Sequence, residues 1–179
     1  MKRSYVVDTN VGVVANEKSA EASPGCVFAC AKRLLEFQSV YRLVLDCSDL
    51  ILDEYRKRLS LSGRPGAGDA FMKWVWDNRF NSGYCVRVEI HARVNPGGED
   101  YLEFPDVPEL VKFDRADRKF VAAALASPDR PSVLNAVDSD WWNHRAVLQA
   151  HGIEVEFLCP DVFGPNRGSK PSKRKKRKP

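Results

Sequence analysis

The chain has 179 residues, 44% of them hydrophobic and 29% charged, a balance that excludes a disordered chain and suits one compact domain with an appendage. The first apolar run stops at Asp8, too short for a signal-peptide apolar region, and no uncharged stretch approaches the roughly 20 residues of a membrane span; no membrane association is expected and the cytosol is the default compartment. The net charge of +4 conceals an asymmetry: Arg167, Lys170, Lys173, Arg174, Lys175, Lys176, Arg177 and Lys178 are basic with no acid among them, and removing these eight from 28 basic residues leaves 20 against 24 acidic ones.

Ser4 to Val7 reads as a buried strand ending on Asp8. Val27 to Phe37 has helical spacing, with Val27, Ala31, Leu34 and Leu35 as its apolar positions, and Arg42 to Leu45 is a short β-type run. Ser48 reads as the N-cap of a helix whose face carries Leu52, Tyr55 and Leu59. A Gly/Pro breaker at 62–68 precedes a helix with Phe71, Val75 and Trp76. Tyr84 to Ile90 alternates as a strand, and 91–108, with three prolines and Gly97-Gly98, reads as a loop or insertion. Ala116 to Ala126 is an alanine-rich helix with Phe120, Val121, Ala124 and Leu125 inward. Val133 to Val137 is a strand ending on Asp138, Asn143 to Ala150 a helix, and Ile153 to Leu158 a final strand. Strands alternating with helices at this spacing predict a three-layer α/β/α fold around a mainly parallel sheet. The expected division is a domain over 1–160 and a low-complexity basic tail over 161–179.

Cys26, Cys30, Cys47, Cys85 and Cys159 are scattered and odd in number, which argues against a disulfide framework. Cys26 and Cys30 can share a helix face and ligate a metal, but no second Cys/His pair stands at zinc-like spacing. His91, His144 and His151 form no motif, and the last two fit a solvated helix face. Carboxylates are therefore the source of any acid chemistry. In a doubly wound sheet, ligands bind beyond the carboxyl ends of the strands, where Asp8 and Asp138 fall. Taken singly, each has a structural explanation as a turn or capping residue. Glu54 can pair with Arg58 one turn on, and Asp117 can serve helix N-terminal electrostatics, as Asp114 can.

In combination these residues resemble a known family. Val6-Val7-Asp8-Thr9-Asn10-Val11 is similar to the opening signature of PIN-domain ribonucleases. Leu52-Asp53-Glu54-Tyr55 followed by Leu59 resembles the helix supplying that family's acidic residue. The run from Asp114 through Asp117 to Ala124 resembles the third motif, and Val137-Asp138-Ser139-Asp140-Trp141 the fourth. Order and approximate spacing agree over residues 4–158. Ala136 stands where the family usually has threonine or serine, 91–108 has no obvious counterpart, and the tail lies outside the match. The resemblance implies a metal-dependent endoribonuclease with Asp8, Glu54, Asp117 and Asp138 as catalytic and metal-holding residues. Asp140 would be a fifth acid, and Thr9 or Asn10 would support ligands or phosphate. Carboxylate oxygens suit Mg2+ or Mn2+ rather than zinc, and one or two such ions acidify and orient water for in-line attack on a phosphodiester. The implied partners are RNA, with DNA as an alternative, a small antitoxin of the kind that restrains many bacterial relatives, and a second copy of the chain. Two rivals stand beside this reading. A haloacid-dehalogenase-like phosphatase also places a nucleophilic Asp after the first strand, but needs Asp where this chain has Asn10. A PIN-like module that binds nucleic acid with weak catalysis is favoured only by Ala136.

Overall fold

The computed structural model describes residues 2–64, 66–94 and 98–164. The basic residues Arg167 to Lys178 lie outside them, as do positions 95–97 of the Pro/Gly segment. Five strands, β1 (Ser4–Val7), β2 (Arg42–Asp46), β3 (Cys85–Val88), β4 (Ser132–Asn135) and β5 (Val155–Phe157), form one all-parallel sheet in the order β3-β2-β1-β4-β5. Six helices among the described residues cover it: α1 (Thr9–Ala15), α2 (Pro24–Glu36), α3 (Leu50–Arg58), α4 (Ala67–Asn78), α5 (Arg118–Ala126) and α6 (Ser139–Ala150). The architecture is the expected three-layer α/β/α. No helix among the described residues is long and apolar enough to cross a membrane.

The central strands β1 and β4 are buried at every position, as parallel strands sandwiched between helices must be. α1, α2 and α4 pack on one another, while α5 lies against β1, β2 and β4. Phe37 is fully buried, with the rings of Tyr5, Tyr41 and Phe71 edge-on around it; a side chain of that size removed from water contributes about 1.5–3 kcal/mol. α5 is buried from Arg118 through Ala124, so it is a core helix rather than an amphipathic one. Its two cations survive burial because they are paired: Arg118 Nη1 lies 3.2 Å from Asp100, and Lys119 pairs with Glu54.

Several element boundaries differ from the sequence reading. α2 starts three residues before Val27, because the Ser23 hydroxyl accepts from Cys26 N at 3.2 Å and Pro24 occupies the first turn, where its fixed φ suits a helix start. Its inner stripe is Cys26, Cys30 and Leu34, leaving Leu35 62% exposed. Ser48 does not cap α3. The fully buried Asp46 does so from the end of β2, accepting from Leu50 N and Ile51 N, each at 2.8 Å. α1, unpredicted, begins directly after Asp8. The alanine-rich helix begins at Arg118 after a 3-10 turn at Arg115–Asp117, and α6 begins at Ser139. In the described part of the segment 91–108, Ala92 and Tyr101 form an antiparallel bridge, and Tyr101 and Phe104 are buried. Cys26 is joined to Cys159 by a disulfide, against the expectation from the cysteine count.

Candidate functional site

The strand order reverses at β1, which has β2 on one side and β4 on the other, and the crevice beyond such a point is where open α/β sheets bind ligands. Two carboxylates stand there. Asp8 follows β1 as the N-cap of α1, its Oδ1 accepting from Asn10 N at 2.9 Å. Asp138 is the N-cap of α6, its Oδ1 accepting from Asp140 N at 2.8 Å. β4 ends at Asn135, so Asp138 is presented by a helix start and not, as its sequence suggested, by the strand itself. Asp117 arrives from the 3-10 turn ahead of α5 and accepts from Trp141 Nε1 at 3.1 Å. One carboxylate oxygen from each of Asp8, Asp117 and Asp138 lies within 4.8 Å of the others. The capping explanation of Asp8 and Asp138 thus holds, and it coexists with the cluster, since a carboxylate oxygen can accept more than one interaction.

The other expected residues divide. Glu54 is beside the trio but engaged: Thr9 Oγ1 donates to its Oε1 at 3.0 Å and Lys119 Nζ pairs with its Oε2. Its partner is therefore not Arg58. Asp140 turns away, accepting from Asp114 N at 2.8 Å and lying 3.1 Å from His144 Nδ1, and the trio forms without it. Asn10 Oδ1 accepts from Ala136 N at 2.8 Å, while its Nδ2 is buried with no hydrogen-bond partner among the described residues. The side chain that departs from the phosphatase pattern thus ties α1 to the turn after β4. His144, expected on a solvated face, packs edge-on against Phe113.

Asn135 is the residue that sequence reading missed. Fully buried, it donates from Nδ2 to Asp8 Oδ2 at 3.1 Å and accepts from Asp138 N at 3.1 Å. One amide thereby holds both acids. An Asn inside an otherwise apolar strand, three residues before a candidate acid, was the signal available. Lys119 and Trp141 were visible in the motifs, but nothing in their spacing assigned them to Glu54 and Asp117.

The electrostatics of the trio are those of crowded, poorly solvated anions. Burial, then the charge of Asp117, raises Asp8 well above the ordinary carboxylate range. Burial, with Asp138, Asp114 and Glu54 adding to it, raises Asp117 to about 7 despite Lys119. Asp138 is raised by burial, partly offset by the N–H of Asp140. A cation among them would relieve this repulsion, and three carboxylates without a sulfur or imidazole form the donor set that hard Mg2+ or Mn2+ prefers. The residues present fit such an ion. No family model, no curated protein and no solved structure matches this chain.

Proposed function

We propose that this chain is a metal-dependent endoribonuclease of the PIN kind. The carrying observation is the convergence of Asp8, Asp117 and Asp138 to within 4.8 Å at the reversal of strand order, in support of which stand the four motifs in sequence. These three acids would hold Mg2+ or Mn2+, which supplies Lewis acidity toward phosphate oxygens and water. Asn135 orients Asp8 and the turn carrying Asp138, Trp141 orients Asp117, and Lys119 with Thr9 fixes Glu54 at the rim. Because Thr9, Lys119, Trp141 and Asn135 stand on α1, α5, α6 and β4, the acids they hold need little reorganisation to receive a ligand. RNA is the proposed substrate, an antitoxin or a second copy the proposed protein partner, and the cytoplasm the proposed location.

The test is cleavage of single-stranded RNA in Mn2+ by wild type and by Asp8→Asn. Asparagine caps helices as well as aspartate, so α1 and the circular dichroism spectrum should persist while cleavage falls by at least about 100-fold, equivalent to about 2.7 kcal/mol of lost transition-state stabilisation. Undiminished cleavage by Asp8→Asn sinks the proposal. Wild-type binding of RNA without any turnover would favour the binding module instead, a reading that the engagement of Glu54 by Lys119 makes worth testing.

A further inference from the structure

Away from the carboxylates, a second set of metal-ligating side chains converges. Cys26 and Cys30 lie one turn apart on the inner face of α2, and Cys159 follows β5. All three are buried, with their sulfurs within 4.8 Å of one another. A disulfide joins Cys26 to Cys159, and Cys30 Sγ stands 3.9 Å from Cys159 Sγ. The crosslink needs two cysteines and leaves the third unexplained. Its sulfur faces the crosslink without joining it.

Distance supplies an account. Sulfurs on a tetrahedral zinc, with bonds of ~2.3 Å, sit about 3.8 Å apart, the spacing seen between Cys30 and Cys159. We propose that the reduced chain binds one zinc ion through Cys26, Cys30 and Cys159, the ion replacing the disulfide as the tie between α2 and the segment after β5. Two thiols of a reductant supply two electrons and two protons to the Cys26–Cys159 bond and become a disulfide themselves. The protein thiols then lose their protons to solvent as zinc binds. Soft thiolates and hard carboxylates select different ions, so this site is independent of the endoribonuclease reading.

The full chain, reduced anaerobically with a phosphine, is titrated with Co2+ and then Zn2+. A thiolate-to-cobalt charge-transfer band should saturate at one equivalent and disappear on zinc addition. It should be absent from the oxidised chain, lost in Cys30→Ala and kept in Asp8→Asn, which alters only the carboxylate cluster. Cys30→Ala retains the disulfide partners, so its oxidised form serves as the folding control, with Cys30→Ser as a second variant. Should reduction unfold the chain, cobalt should restore the helical spectrum together with the band. No band from a chain whose thiols are all shown to be free, or an undiminished band in both Cys30 variants, overturns the proposal.

Discussion

Asn135 does more at the site than its uncharged side chain suggests. It is the only side chain among the described residues that hydrogen-bonds to both Asp8 and the backbone of Asp138, and it is fully buried. Asn135→Leu keeps the branched heavy-atom shape, though with more bulk, and removes both bonds, leaving a buried carboxylate oxygen and an N–H without partners. The expected loss is about 1–3 kcal/mol, read as a lower urea midpoint at unchanged slope. The acids themselves predict a pH dependence. Asp117 is raised to about 7 in the folded chain, against about 3.9 when unfolded, so its protonated form favours the fold. That stability is present below about pH 4 and is lost as pH rises through about 7, and Asp8 acts in the same sense. In chelator, wild type should therefore lose more melting temperature between about pH 5 and about pH 8 than Asp117→Asn does. Parallel pH profiles for the two would contradict this account of the cluster.

At the scale of elements, a strand end caps the helix that carries Glu54. Asp46 closes β2 and accepts from the first two N–H groups of α3, which Asp49 enters at φ 63°. A helix end buried without such a partner is unfavourable. Asp46→Ala should cost about 0.5–2 kcal/mol from the lost cap, measurable in thermal unfolding, whereas Asp46→Asn, which keeps one acceptor oxygen, should cost less. Equal costs would mean that the charge matters and the hydrogen bond that Asn retains does not. Packing between elements is tight elsewhere as well. A Cβ on Gly68 would stand 2.1 Å from Gly12 O, so the residue read from sequence as part of a breaker is where α4 meets the backbone of α1.

For the whole molecule, the charge asymmetry bears on how the proposed RNA substrate would reach an acidic site. The body before the tail carries 20 basic and 24 acidic residues, and eight cations follow from Arg167 to Lys178. Phosphate contacts give affinity without reading sequence. If those cations engage RNA, each contact adds roughly 0.7 to the log–log salt slope on a single strand. Deleting residues 167–179 should flatten that slope and raise the apparent Michaelis constant for long RNA, with turnover at saturation little changed. A slope unaltered by the deletion would assign the tail another task.

What the sequence determined by itself is what period and local chemistry encode. Alternating apolar runs and helical stripes marked five strands in order and the three-layer class, because a parallel strand between two helical layers must be apolar; Asp8 directly after β1 was legible in the same way, whereas Asp138, read as a strand end, begins α6. Capping was legible only where the cap is adjacent in sequence. Asp46 caps α3 across a turn that no propensity specifies, and so it displaced Ser48. The tertiary structure alone decided that Asn135 holds two acids, that Glu54 faces Lys119 instead of Arg58, and that Asp140 leaves the cluster for Asp114 and His144. It also decided that Cys26, Cys30 and Cys159, separated by up to 133 residues, bring their sulfurs together. Each of these depends on side chains brought together by the crossing of distant elements, and spacing along a chain carries no record of which crossings the fold will make.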